Sequence, residues 1–320
     1  MVSASLEADD HTRGVVVDIW VIVAGCLVGF VVGLTGMGGG ALMTPILVLV
    51  FGVTPLTAVS SDLVAALAMK PVGGGLHLKR GTVHRDLVKW LVVGSVPSAF
   101  AGAVILDRFA GPSLAEHMKV LLGVVLLLAC VAMVVRTVLA RRRETVAIDA
   151  RLPVSERAPV RIVPTIIVGV VGGLIVGLTS VGSGSLMIVA LMLMYPGLTT
   201  SELVGTDLVQ AIPLVAAAAL GHLLFGSVAL GLTMALLVGG IPGVWFGAHL
   251  SSRANPAFVR PALFAVLMLS SLKLLGASDR VLMAGVVAGI VAVVTAVMVA
   301  RRNPAVAGEE ARLLEAVVAE

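Results

Sequence analysis

Long apolar segments, separated by short polar or glycine-rich stretches, occupy most of the 320 residues. In the first half this pattern predicts helices at 15–34, 41–52, 54–78, 88–106 and 116–139. The second of these helices has only about a dozen residues and would span roughly 18 Å. Because the hydrocarbon core of a bilayer is roughly 30 Å thick, so short a helix cannot cross it alone. The other segments have the length and apolarity of membrane-spanning helices.

The same succession starts again in the second half, which indicates an internal repeat. A glycine-rich break recurs after 144 residues, and six further positions recur after 145 residues. The six pairs are Asp62 and Asp207, His77 and His222, Gly81 and Gly226, Gly94 and Gly239, Pro97 and Pro242, and Gly102 and Gly247. We therefore predict an all-α polytopic membrane protein built from two homologous helical repeats, at 15–140 and 162–277.

The rest of the chain falls outside the two repeats. It comprises a polar N-terminal tail at 1–14, a charged cytoplasmic linker at 141–161, an extra transmembrane helix at 278–300 and a cytoplasmic tail at 301–320. The extra helix has no counterpart in the first half.

The basic residues predict how the repeats face the membrane, because cytoplasmic loops are enriched in lysine and arginine. The loop at 79–89 is basic, whereas its counterpart near Gly226 has no lysine or arginine. The bias reverses in the next loop, where 251–260 is basic and 107–116 is balanced. This exchange favours inverted repeats. Each repeat would cross three times if the broken and short helices form a re-entrant pair, or five times if both cross.

Composition excludes a soluble globular protein, since 59% of the residues are hydrophobic, 12% are charged and the mean hydropathy is +1.11. The net charge of +4 arises between the apolar segments, so the expected partner is the lipid bilayer and not a nucleic acid. Cys26 and Cys130 lie in apolar segments, and no Cys/His cluster has the spacing of metal ligands. Without a nucleotide-binding loop or a nucleophile–base pair, the sequence predicts no cofactor, no metal and no enzymatic activity.

The glycine-rich break of each repeat is the strongest candidate for a binding site. Glycine at this density interrupts a helix, and broken backbone inside a membrane is tolerated only where protein or a water-filled cavity surrounds it. The N-terminus of the short helix that follows would direct free N–H groups and a positive dipole at an anion. The candidate residues are Thr35, Gly36, Gly38, Gly39 and Gly40 in the first break, and Ser180, Gly182, Ser183, Gly184 and Ser185 in the second. The alternative is that these glycines serve only close helix packing.

Ionisable residues inside the apolar segments are the other candidates, because they are costly in a membrane and usually functional. Asp62 and Asp207 each follow a hydroxyl residue and could couple transport to protons, or could organise the broken backbone. Lys70 could be the counter-charge of an anion, could pair with Asp62, or could extend to the interface. His77 and His222 could relay protons, although an interfacial or capping role also fits their places near helix ends.

The residues of these motifs resemble the sulfite exporter TauE/SafE family, also described as four-TMS repeat anion exporters. The resemblance covers about 16–276 and rests on Gly-Leu-Thr-Gly-Met-Gly-Gly-Gly at 33–40, on Pro45, on Ser-Ser-Asp at 60–62 and on Gly-Thr-Asp at 205–207. It implies a secondary transporter for sulfite or a small organosulfonate in the bacterial inner membrane. The family's description as paired four-helix units would give parallel repeats, since an even number of crossings returns the chain to the same side.

The expected function is therefore transport of a small sulfur-containing anion, with the site at the glycine breaks between the repeats. One half would move against the other to alternate access. A passive channel for small anions, or a cation-coupled transporter of another small carboxylate, remains an alternative. The sequence leaves open whether the protein forms a homo-oligomer.

Overall fold

The computed structural model describes residues 19–35, 39–108, 114–144, 159–250, 256–278, 280–282, 284–285 and 287. The helices of the first half are α1 (Ile19–Thr35), α2 (Gly40–Leu49), α3 (Pro55–Lys79), α4 (Arg85–Arg108) and α5 (Leu114–Glu144). Those of the second half are α6 (Ile162–Thr179), α7 (Leu186–Met194), α8 (Thr200–Phe225), α9 (Leu230–Leu250) and α10 (Pro256–Leu274). The described residues contain no β-strand, which confirms the all-α class.

The order of long and short helices agrees with the sequence pattern, and the boundaries differ in a few places. Helix α5 continues to Glu144, so three arginines assigned to the linker, at 141–143, belong to its last turn. Both tails and the stretch 145–158 lie outside the described residues. Of the extra helix predicted at 278–300, only a few positions up to residue 287 are described, and 280–282 are helical.

Among the described residues, five helices are long and apolar enough to cross a bilayer by their length and composition. They are the segments Arg85–Leu106, Leu114–Thr137, Ile162–Thr179, Thr200–Phe225 and Leu230–Leu250. Their outer faces carry exposed aliphatic side chains, for example Leu128 and Val238, as lipid-facing helices do. The protein is a multi-pass membrane protein.

The two halves are interlocked, because the first helix of each half packs along the fourth helix of the other half. Helix α1 packs along α9, and α6 packs along α4. A Cβ atom on Gly29 would collide with the backbone of Gly240, and one on Gly177 would collide with that of Ala99. Glycine at these seams lets the backbones approach as closely as small-residue motifs do in membranes. The repeated glycines Gly94 and Gly239 also lie in the seams, as expected for residues with a packing role.

The central helices α3 and α8 run in opposite directions. Ser60, near the start of α3, bonds to His222 in the last turn of α8, whereas Thr82, just after α3, lies against Gly205 in the first turns of α8. Helix α9 runs with α3, because Ser61 bonds to Ala229 and Met69 contacts Gly240.

The direction of the first helix follows from its seam. Gly25 of α1 lies against Leu236 and Gly33 lies against Ala248, so α1 runs parallel to α9 and therefore to α3. Because α1 and α3 run in the same direction, the chain has to run back between the end of α1 and the start of α3. Helix α2 lies in this connecting segment. With 10 residues, α2 is about 15 Å long, roughly half the thickness of a bilayer core. This geometry favours a re-entrant hairpin formed by α1 and α2.

Candidate functional site

The described end of the first glycine-rich break lies against the second break. Gly40, the first residue of α2, lies so close to Ser180 that a Cβ atom would overlap the Ser180 carbonyl oxygen. In the second break the backbone is left-handed at Ser180 (φ 60°), Gly182 (φ 130°) and Gly184 (φ 91°). Two of these three positions are glycine, the residue that adopts such angles without a steric cost. The expected breaks are therefore close together, and each is followed by the N-terminus of a short helix.

Asp62 connects the two breaks. Its Oδ2 accepts a hydrogen bond from the hydroxyl of Ser180 (2.7 Å) in the second break and from that of Thr44 (3.0 Å) in α2. The side chain is fully buried, and its Oδ1 has no hydrogen-bond partner among the described residues. An unpaired oxygen of this kind is costly on an ionised carboxylate, because burial removes water without replacing its hydrogen bonds.

Asp207, the equivalent residue of the second half, has a different environment. Its carboxylate accepts hydrogen bonds from the backbone N–H of Gly184 and from the side-chain amide of Gln210 (3.0 Å). The same amide contacts the sulfur of Met187 (2.8 Å), and Ser95 donates to the Gln210 oxygen (3.4 Å). These donors stabilise a negative charge on Asp207 in the buried interior. The two aspartates thus occupy equivalent positions with unequal hydrogen bonding.

Two basic side chains extend to the second break. The Lys70 ammonium donates to the hydroxyl of Ser183 (2.5 Å) and interacts electrostatically with both aspartates. The guanidinium of Arg136, on α5, donates to the carbonyl of Gly184 (3.3 Å) and interacts with the charge of Asp207. Sequence analysis missed Arg136 because it lies near the basic cluster at 141–143 and resembles a topology signal. Arg136 lies more than one helical turn before that cluster, and this position within the apolar segment was the signal that could have identified it.

A cavity of about 60 Å³ adjoins Lys70. It is lined by Val32, Gly33, Gly39, Ala66, Met69, Lys70, Gly73, Leu208, Val244 and Ala248, which belong to both halves. Lys70 is the one charged member of this lining. The lysine therefore lies between an apolar cavity and the polar groups of the second break.

The two predicted histidines lie in unequal surroundings. His222 is fully buried, with Nδ1 bonded to Ser60 (2.8 Å) and Nε2 donating to the carbonyl of Gly177 (2.8 Å). His222 is therefore enclosed by protein, with both ring nitrogens bonded, and its role stays a prediction. His77 is half-buried and bonds to Thr82 (2.8 Å), at the turn that follows its own helix. The repeat partner of Ser60 is Gly205, which has no hydroxyl to offer His77.

The remaining predicted residues divide between the site and the undescribed part of the chain. Gly36 and Gly38 lie outside the described residues, and Thr35 ends α1. Ser185 precedes α7, is buried, and has a hydroxyl oxygen with no hydrogen-bond partner in the described part of the chain. Within the same part, no group of three or more Cys, His, Asp or Glu residues could hold a metal ion.

Comparison with known proteins adds context to this geometry. The sequence pattern described as "Sulfite exporter TauE/SafE" matches residues 21–274. The chain is 40% identical to the "Probable membrane transporter protein YjnA" of Bacillus subtilis (strain 168) over 259 residues, which are 80% of this chain and 98% of that protein. It is 25% identical to the "Probable membrane transporter protein YdhB" of the same organism over 252 residues, 78% of this chain and 96% of that protein. No solved structure matches the chain.

Proposed function

Because the chain belongs to the sulfite exporter TauE/SafE family, we propose that it is a secondary transporter of a small sulfur-containing anion, sulfite or an organosulfonate. Its relatives are probable membrane transporters, and the chain is a membrane transporter and not an enzyme. The proposed location is the cell (inner) membrane. No partner is proposed beyond the anion and the bilayer.

The observation that carries this proposal is the convergence of two cations on the second break. Lys70 and Arg136 both donate to it, and the buried hydroxyl of Ser185 adds a donor at the start of α7. Free N–H groups at a helix N-terminus favour the oxygens of an anion, and the cations supply the opposite charge. The proposed seat of the anion is therefore the second break, together with Gly39 and Gly40 of the first.

The apolar cavity beside Lys70 favours an organosulfonate over bare sulfite. An ammonium at the wall of a cavity lined by Met69, Leu208 and Val244 suits a charged head with a short apolar substituent. Burial of one methyl-sized group contributes on the order of 0.8 kcal/mol, or about fourfold in affinity. We expect a small alkanesulfonate to bind more tightly than sulfite.

Helix directions support an inverted arrangement of the two repeats. Equivalent helices α3 and α8 are antiparallel, and the hairpins α1–α2 and α6–α7 would enter from opposite membrane faces and meet at their breaks. This arrangement agrees with three crossings per repeat. A site at the meeting point of two such hairpins is accessible from either face after a small movement.

The interlocked packing favours moving bodies that differ from the sequence repeats. A displacement of one half against the other would separate the glycine seams between α1 and α9 and between α4 and α6, where backbone meets backbone. We propose that each seam moves as one unit and that the contact between α3 and α8 changes. This replaces the simpler expectation of half-against-half movement.

Flux into proteoliposomes tests the proposed function. Purified protein is reconstituted, and uptake of labelled sulfite and labelled methanesulfonate is measured for the wild type and for Lys70→Gln. We expect saturable uptake that falls at least about tenfold in Lys70→Gln, since a lost charged hydrogen bond costs about 1.5–3 kcal/mol. Lys79→Gln is the matched control, because Lys79 ends α3 and is exposed.

Two outcomes of this flux experiment would contradict the proposals. If neither anion enters faster than into protein-free liposomes, the proposed substrate class is wrong. If both enter but Lys70→Gln and Lys79→Gln behave alike, the transporter assignment stands and the site at the second break is wrong.

A further inference from the structure

We propose that the two equivalent aspartates have different roles: Asp62 carries an exchangeable proton that travels with a monovalent anion, and Asp207 remains ionised as a fixed part of the site. This inference rests on the proposed function, because it assigns the coupling of the same site. It predicts electroneutral symport of one proton with one anion.

The hydrogen bonds around the two carboxyl groups provide the first argument. Oδ1 of Asp62 is fully buried without a partner among the described residues, whereas Asp207 accepts from Gly184 and Gln210. A proton on Oδ1 removes the cost of an unsatisfied buried charge at Asp62. At Asp207 the donors Gly184 and Gln210 already compensate the negative charge in part, so protonation gains less there than at Asp62.

Charge balance provides the second argument. Lys70, on the same helix, acts electrostatically on Asp62 and on Asp207, and Arg136 on α5 acts on Asp207. His222 on α8 bonds to Ser60, two residues before Asp62. Helix α2 has no titratable residue, and His249 on α9 lies at the exposed far end. His222 is held by Ser60 and Gly177 and contributes no charge as a neutral imidazole.

With these groups, the site has zero net charge when it is empty and also when it holds one anion and one proton. Lys70 and Arg136 contribute two positive charges, which Asp207 and an ionised Asp62 balance when no anion is bound. A monovalent anion makes the site negative unless a proton binds to Asp62. Because net charge is costly inside a membrane, proton and anion should bind and leave together.

The position of Asp62 connects this proton to the proposed movement. Its Oδ2 bridges Thr44 in α2 and Ser180 in the second break, so the group belongs to both hairpins at once. The proton is taken up on Oδ1 from the side to which the site is open and is released to water on the other side. The proton is conserved throughout, and no other reactant is required.

Voltage-controlled uptake tests this assignment with methanesulfonate, whose charge is constant over the pH range used. A gradient of one pH unit, acidic outside, should support about tenfold accumulation at a stoichiometry of one proton per anion. An imposed membrane potential should leave this accumulation unchanged. The side chain in Asp62→Asn resembles the protonated carboxyl group. In this variant the pH gradient should give no accumulation of methanesulfonate, and the membrane potential should now drive its uptake. Wild-type protein whose accumulation responds to potential but not to the pH gradient would overturn the proposal.

Infrared difference spectroscopy of the purified protein decides the proton assignment even if no flux is found. The carbonyl band of a protonated carboxylic acid should appear as the pH is lowered from about 8 to about 5 and should be absent in Asp62→Asn. The matched variant Asp207→Asn should retain the band. A band lost in Asp207→Asn but kept in Asp62→Asn reverses the roles and contradicts the inference. Absence of flux with either anion counts only against the proposed function.

Discussion

The backbones of Gly40 and Ser180 lie against each other, although the two residues are 140 positions apart and belong to different halves of the chain. The contact joins the first residue of α2 to the left-handed residue that ends α6. Ser180 in turn donates to Asp62, so the position of α2 and the hydrogen bonding of the buried carboxyl group depend on the same contact. A change of one methyl group here should therefore affect the site directly.

Gly40→Ala should reduce transport strongly. The added Cβ would overlap the Ser180 carbonyl, and overpacking of this kind costs about 1–3 kcal/mol or forces the two breaks apart. We expect uptake of labelled anion to fall by about tenfold or more while the protein still elutes as one species from detergent size exclusion. The matched control is Gly75→Ala, where a Cβ meets nothing within 4 Å. Equal activity of the two variants would show that the breaks do not need to be in contact.

The two histidines should differ in their contribution to stability. His222→Ala leaves the Ser60 hydroxyl and the Gly177 carbonyl without partners in the interior, at a cost of about 2–4 kcal/mol. His77→Ala removes one half-buried bond to Thr82 and should cost about 1 kcal/mol or less. Thermal unfolding of both variants in detergent measures the difference. Equal shifts of the melting temperature would contradict the assigned burial.

The all-α membrane architecture could be predicted from the sequence, and the residues of the candidate site could be selected from it, because their signals are local. Glycine-rich interruptions in apolar segments and carboxylates such as Asp62 and Asp207 stand out in a membrane protein, where both are costly. The repeat was visible as a constant spacing of special residues. None of these signals needed knowledge of which helices pack together.

The rest depends on tertiary contacts that periodicity does not encode. Thr44 and Gln210 look like ordinary polar residues of apolar helices until α2 and α8 bring them to the carboxylates. The exchange of α1 and α6 between the halves is also invisible along the chain. The inequality of the two aspartates arises in part because the side-chain amide of Gln210, which donates to Asp207, has no counterpart at Ala65 in the first half.

Arg136→Gln should weaken anion binding. It removes the cation that donates to the Gly184 carbonyl next to the proposed seat, and a hydrogen bond from a charged group contributes about 1.5–3 kcal/mol. We expect the half-saturating concentration for uptake to rise about tenfold, with a smaller change in maximal rate. Arg108→Gln is the control, because Arg108 is exposed at the end of α4. A change in maximal rate alone would assign Arg136 to the movement and not to binding.

The interlocked seams predict which distances change during transport. Spin labels at Val23 on α1 and Val238 on α9 measure a distance within one seam, because these helices pack along each other and both side chains are exposed. Labels at Val93 on α4 and Val171 on α6 measure the corresponding distance within the other seam. If each seam is a rigid unit, saturating methanesulfonate should leave both distance distributions unchanged.

The pair of labels at Val23 and Val93 spans the two seams and should give a different result. Its distance distribution should shift or broaden with methanesulfonate, since alternating access requires the units that enclose the site to change their relative position. Movement of the sequence repeats as rigid halves predicts the opposite outcome: the distance from Val23 to Val238 changes, and that from Val23 to Val93 is constant. Pulsed electron spin resonance on the reconstituted protein distinguishes the two, because each hypothesis holds constant the distance that the other one changes.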